Sequence, residues 1–238
     1  MNPRTQQILE AVIREFINTG EPVSSKVLYK KYDFEVKPAT IRNELNFLDE
    51  EDFLSQPHTS SGRVPTDKAY RFLAHKVLAD FAEDLLSGFD REINALISEF
   101  ARGDFRDFVH DVSEHLGVLS AGYNSEEKSV YKSGLDDLFE RLVSDIWFTD
   151  RREIYAIAKD FENLDERMVD LLNFLKKENE PKIFIGKSPI TRSHHLSVIA
   201  ERFNADGEDF VVAAIGPKRM DYEDGIKFFL KLRKKINS

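Results

Sequence analysis

Cysteine is absent from the 238-residue chain, which excludes disulfides, thiolate zinc sites and a cysteine nucleophile together. Long apolar runs are absent too. No stretch approaches the roughly 20 apolar residues of a membrane-spanning helix, and Met1-Asn2-Pro3-Arg4-Thr5 has no apolar core of a secretion signal, so a cytoplasmic protein without membrane contact is expected. Positive charge is in short supply: 34 Lys and Arg stand against 43 Asp and Glu, a net charge of −9. An acidic chain is a poor general partner for phosphate, but the deficit is unevenly spread. Residues 1–76 hold eleven of each sign and are neutral, so the rest of the chain carries the whole −9. From Phe53 to Thr66 there is no acidic residue at all. The apolar fraction of 41% suffices for a core in each of two domains at this length.

Within the neutral segment, Ile8, Leu9, Val12, Ile13, Phe16 and Ile17 recur at three-and-four spacing and stop at Thr19-Gly20. This predicts an amphipathic helix over residues 4–19. Ser24 or Ser25 can cap a short second helix through Val27, Leu28 and Tyr32, and Pro38 suits the first position of a third. Ile41, Leu45 and Leu48 fall on one side of that third helix, while Ala39, Arg42, Asn43 and Asn46 project from the other. Asn can pair with adenine and Arg with guanine in a major groove, and Thr40 at the helix N-terminus can hold a phosphate. Alone, such a face more often simply meets water.

The next segment changes the balance. Phe53-Leu54-Ser55-Gln56-Pro57-His58-Thr59-Ser60-Ser61-Gly62-Arg63-Val64-Pro65-Thr66 places two short extended pieces around a small, acid-free tip, the composition of a wing. Thr66 is expected to cap a fourth helix carrying Tyr70, Phe72, Leu73 and Val77. Residues 1–76 therefore read as a winged helix-turn-helix. Its expected base-reading residues are Ala39, Arg42, Asn43 and Asn46. Its expected backbone and wing contacts are Ser24, Ser25, Lys26, Lys37, Thr40, His58, Thr59, Ser60 and Arg63.

Three stretches here resemble the heat-inducible transcription repressor family HrcA: Thr19-Gly20-Glu21-Pro22-Val23, then Pro38-Ala39-Thr40-Ile41-Arg42-Asn43-Glu44-Leu45, then Gln56-Pro57-His58-Thr59-Ser60 with Gly62-Arg63-Val64-Pro65-Thr66-Asp67-Lys68 and Tyr70-Arg71. Ile215-Gly216-Pro217-Lys218-Arg219-Met220-Asp221-Tyr222 matches a further family signature near the other end. The resemblance implies a repressor homodimer on an inverted-repeat DNA operator, called CIRCE, ahead of chaperone genes, with its activity supported by a GroEL-type chaperonin. The chain departs from the family pattern at Ser24-Ser25-Lys26, where Gly-Ser-Arg is common, at Asp52, where a Gly ends the third helix, and at Ser61, where Ala is common. It is also shorter than family members usually are. The resemblance therefore implies a sensor-like GAF domain reduced in its middle, between Gly117-Val118-Leu119-Ser120-Ala121-Gly122-Tyr123 and Gly134, with some sheet strands and a dimerising insertion gone.

The remainder reads as a helical linker over residues 77–103 and a reduced GAF-like regulatory domain over 104–238, α+β with a small antiparallel sheet. Leu86, Phe89, Ile93, Leu96 and Phe100 alternate at three and four, a seam that serves either for dimerisation or for packing on the chain's own C-terminal domain. Helices are expected around Leu135–Ile146 and Met168–Leu175, strands at 182–185, 196–203 and 210–215 with a turn at Asn204-Ala205-Asp206-Gly207, and a last helix through Ile226, Phe229, Leu230 and Leu232. Adjacent His194 and His195 would point to opposite faces of a strand, and with no third well-spaced ligand no metal is expected. Lys218-Arg219 beside Asp221 reads either as an anion site or as a turn before a helix. No catalytic motif or cofactor loop stands out, so an enzyme is not expected. The rival to a DNA-binding repressor is a protein-interaction module whose winged helix grips a chaperone or another regulator.

Overall fold

The computed structural model describes residues 1–58, 61–84, 95–96, 98, 100, 104–144, 151–175, 180–205 and 207–236. Two compact units emerge, Met1–Lys76 and Val77–Ser238. Thr59, Ser60, Leu86, Phe89 and Ile93, assigned above to the wing and to the dimer seam, lie outside the described residues.

In the first unit, α1 (Pro3–Thr19) starts where Asn2 accepts the Thr5 amide and ends where Gly20 turns left-handed at φ 71°. Its stripe of Ile8, Leu9, Val12, Ile13 and Phe16 is buried, each such side chain contributing about 1.5–3 kcal/mol. α2 (Ser25–Lys31) is capped by the Ser24 hydroxyl, and α3 (Pro38–Glu50) opens on its proline and buries Ile41, Leu45 and Leu48. β1 (Leu54–Ser55) pairs antiparallel with β2 (Val64–Pro65). Val23, ahead of α2, extends this ribbon by an antiparallel bridge to Arg63. α4 (Asp67–Asp84) closes the core with Ala69, Tyr70, Leu73 and Ala74.

Two polar ties fix the angles between these helices. Glu44 of α3 accepts from Arg4 at 2.8 Å and from Thr5 at 2.7 Å on α1. Buried Glu15 of α1 accepts from Lys31 at 2.6 Å and from Tyr32 at 3.0 Å, just beyond α2. Burial first, and then the bond to Glu15, push the Tyr32 hydroxyl above its usual range.

Thr66 stands at the start of α4, where its carbonyl accepts the Ala69 and Tyr70 amides at 3.0 and 3.2 Å. Its hydroxyl donates to the carbonyls of Asp52 at 2.7 Å and Phe53 at 3.1 Å, securing the exit of α3. That exit is a Schellman turn: the Phe53 amide bonds the Leu48 carbonyl at 2.9 Å and the Asp52 amide bonds Asp49 at 3.1 Å. Asp52 occupies the left-handed position, φ 59°, that glycine fills most easily.

The second unit runs α5 (Phe105–Leu116), β3 (Leu119–Asn124), β4 (Ser129–Ser133), α6 (Leu135–Ser144), α7 (Arg151–Glu162), α8 (Leu164–Phe174), β5 (Lys182–Ile185), β6 (Leu196–Ala205), β7 (Glu208–Pro217) and α9 (Tyr222–Ile236). The strands form one antiparallel sheet in the order β4-β3-β7-β6-β5. The fold class is thus α+β with a small antiparallel sheet, as expected. Because strand side chains alternate, Leu119, Ala121, Leu196, Val198, Ala200, Val211, Ala213 and Ile215 share one face, packed in a single core with Leu138, Ile157, Met168 and Leu171 of α6, α7 and α8. α5 and α9 cover the other face, where the Ser197 and Tyr222 hydroxyls meet at 2.7 Å and Arg233 reaches buried Glu201.

Several expectations change here. The segment between Gly117 and Gly134 is no gap in the sheet: β3 and β4 form a hairpin paired from Ser120–Ser133 to Asn124–Ser129. β6 and β7 are longer than expected and pair to Ala205 and Glu208, with Gly207 at φ 89° between them. His194 and His195 sit in a bend before β6 rather than in a strand. Leu96 and Phe100, two members of the proposed dimer seam, are buried within the chain; Phe100 packs against Phe105, Phe108 and Phe210 with ring centroids 5.0–6.0 Å apart. An aromatic surrounded in this way fills its own domain's core, the second of the two readings given for the seam.

Candidate nucleic-acid interface

Pro38 starts α3 one turn ahead of a polar face, and the apolar triad Ile41, Leu45 and Leu48 holds the opposite face in the core. The consequence is geometric. Ala39, Arg42, Asn43 and Asn46 all emerge exposed on the outer side of one helix, the side and the residue types that read base edges. No side chain caps the first turn at Lys37, which is itself exposed; Pro38 has no amide proton, and the Thr40 and Ile41 amides bond the Lys37 carbonyl at 2.9 and 3.3 Å.

α2 contributes exposed Lys26 with half-buried Ser24 and Ser25. The Ser24 hydroxyl already accepts the Val27 amide at 3.3 Å, which leaves its own proton for another acceptor. Thr40 is half-buried, beside the first turn of α3.

The wing is organised by Ser61. Its hydroxyl donates to the His58 carbonyl at 2.7 Å and accepts the His58 amide at 3.0 Å, while Gln56 donates to the Ser61 carbonyl at 3.0 Å. His58 stands exposed on this turn.

Arg63 differs from expectation. It belongs to the wing's base, where its amide and carbonyl each bond Val23 at 2.8 Å. Its guanidinium does not extend outward: Nη2 donates to Asn46 Oδ1 at 3.0 Å, and Nε lies 3.2 Å from Asp49 Oδ2 in a spot closed to water. Only 13% of the side chain is exposed. The Arg63 charge is thus directed at α3. Nothing in the spacing of residues 46, 49 and 63 marks this tie in advance.

Electrostatically the face is graded. Lys37 and Arg42 lie at the start and in the first half of α3, while Asp49, Glu50, Glu51 and Asp52 gather at its end. A polyanion approaching the N-terminal half meets cations and the positive end of the helix; one approaching the C-terminal half meets carboxylates.

The family model described as the HrcA protein C-terminal domain matches residues 64–226, well over half of the chain. The chain belongs to the HrcA family. Among curated relatives, the heat-inducible transcription repressor HrcA of Caldanaerobacter subterraneus subsp. tengcongensis is 38% identical over 120 residues, covering 50% of this chain and 35% of that protein. The HrcA of Parafrankia sp. is 30% identical over 174 residues, 72% of this chain and 48% of its own length. That of Thermodesulfovibrio yellowstonii is 56% identical over 72 residues, covering 30% of this chain and 21% of that protein. The chain thus spans less than half the length of each of these HrcA relatives. A crystal structure described only as that of a hypothetical protein has the same fold, with TM-score 0.77 at 15% identity over 99% of this chain and 97% of that one. No helix among the described residues is long and apolar enough to cross a membrane.

Proposed function

We propose that the chain is a DNA-binding transcription repressor of heat-inducible chaperone genes, acting as a homodimer on an inverted-repeat operator of the CIRCE type. The observation that carries this is the exposed row of Ala39, Arg42, Asn43 and Asn46 on a helix whose opposite face is fixed in the core and whose flank carries a wing. In this role α3 lies in a major groove, with Arg42 and Asn43 on base edges and the small Ala39 allowing close approach or touching a thymine methyl. Ser24, Ser25, Lys26, Lys37, Thr40 and His58 face the sugar-phosphate chain. The names of the relatives support the class of gene controlled.

The acidic excess suits this role because it lies outside the module, where it discourages binding of phosphate anywhere but at the winged helix. Each half-site takes one module, so two modules require half-sites about 10.5 base pairs apart or a multiple of that. Residues 104–238 are assigned the regulatory part.

Selection of bound duplexes from a random pool by the full chain tests the proposal. An enriched inverted repeat with fixed spacing is the expected result; a pool that stays random through successive rounds contradicts it.

A further inference from the structure

Arg63 is turned onto Asn46, and the chemistry of that contact bears on what Asn46 can read. A guanidinium carries five N–H donors and no acceptor. The group it touches at 3.0 Å must therefore be the amide oxygen of Asn46. One of the two lone pairs of Oδ1 is thus engaged by a cation, which weakens that oxygen as an acceptor for a further donor and leaves both N–H groups of Asn46 to donate.

The latch is held from several sides. Asp49, one turn further along α3, lies 3.2 Å from Arg63 Nε. The Arg63 backbone makes two bonds of 2.8 Å to Val23. Gly62 keeps that pairing close, because a Cβ there would come within 2.5 Å of the Val23 carbonyl group. The guanidinium is largely shielded from water, so leaving Asn46 would strand a charge beside Asp49 alone.

We propose that Arg63 is a positioning residue that sets base specificity: it biases Asn46 toward donating, so that α3 selects a base with an acceptor-rich major-groove edge at that position. Guanine fits best, since N7 and O6 are both acceptors, and thymine O4 offers one. Adenine, the usual partner of a free asparagine, needs Oδ1 to accept from its N6 amino group, and here that oxygen already accepts from the Arg63 guanidinium and has only its second lone pair left. This inference rests on the DNA-binding reading and adds the identity of one base to it.

The test is selection from random duplex DNA with the full chain, run in parallel for wild type, Asn46→Ala and Arg63→Met. The alanine variant locates the position, as the one base pair per half-site whose preference relaxes. Wild type should favour guanine or thymine there by on the order of tenfold over adenine. Arg63→Met keeps an apolar stem but frees Oδ1, and should move the preference toward adenine at that position alone. Adenine selected there by wild type overturns the inference whether or not the methionine variant folds. So does an Arg63→Met variant that folds, binds more weakly and keeps the wild-type preference. If wild type enriches no sequence, the DNA-binding reading itself fails; if it enriches an operator with adenine opposite Asn46, only the latch fails.

Discussion

Gly62 passes so close to Val23 that a Cβ on it would come within 2.5 Å of the Val23 carbonyl carbon and oxygen. The neighbours are backbone and cannot rotate away, so the wing's position depends on a missing methyl. Gly62→Ala should separate the Val23–Arg63 bridge and destabilise the first unit by about 1–3 kcal/mol. A lowered urea midpoint, with binding to any selected operator weakened more than binding to random DNA, is the expected outcome.

Asp52 pays a conformational cost at the left-handed end of α3. Asp52→Gly should relieve it and stabilise the first unit by on the order of 1 kcal/mol. Thr66 donates to the Asp52 backbone carbonyl and the Schellman bonds run through backbone amides, so the capping bonds survive the change. Thermal unfolding of the variant checks this, with a raised first transition expected and an unchanged or lowered one against it.

Glu44 should make the first unit acid-sensitive. Partial burial works against its charge, but hydrogen bonds from Thr5 and Arg4, with the Arg4 charge, outweigh burial and hold the carboxyl below its usual 4.5. A folded value below the unfolded one means stability is present above pH 4.5 and is lost as the pH falls through the folded value. Urea midpoints measured down an acid series should therefore drop more steeply for wild type than for Glu44→Gln. Equal slopes would show that the tie between α1 and α3 carries no such linkage.

Glu201 should act in the opposite direction in the second unit. Burial pushes its carboxyl up to about 8, against the pull of the adjacent Arg233 guanidinium. The folded state then binds the proton more tightly than the unfolded chain, so stability is greatest below pH 4.5 and declines as the pH rises toward 8. Glu201→Gln should flatten that decline in denaturant midpoints taken between these limits.

Much of the fold was legible because it follows from local pattern. The stripe from Ile8 to Phe16 and the stop at Gly20 placed α1, and Pro38 with Ile41, Leu45 and Leu48 placed α3 and its outer face. β3 was illegible for a physical reason: all of Leu119–Asn124 is buried, so it lacks the apolar-polar alternation of a half-exposed strand, and its small residues look like a loop. Gly122 in particular lies against Phe105 and Val109 of α5, a packing requirement that spacing along the chain does not encode. The same holds for the site. Exposure of Arg42, Asn43 and Asn46 followed from helical period, but the turn of Arg63 onto Asn46 joins residues seventeen apart through a β-bridge to Val23. The seam through Leu96 and Phe100 had the right period for a dimer and equally for an internal core, since periodicity identifies an apolar face and not what covers it.

The central claim is that the outer side of α3 reads bases while α2 grips backbone, and one pair of titrations separates these roles most directly. Full-length Arg42→Ala and Lys26→Ala would be titrated against a selected operator and against random duplex over a range of salt. Arg42→Ala should lose about 1–3 kcal/mol on the operator and little on random DNA, whereas Lys26→Ala should weaken both alike and reduce the salt slope by about one. Equal losses on both duplexes for both variants would contradict the account.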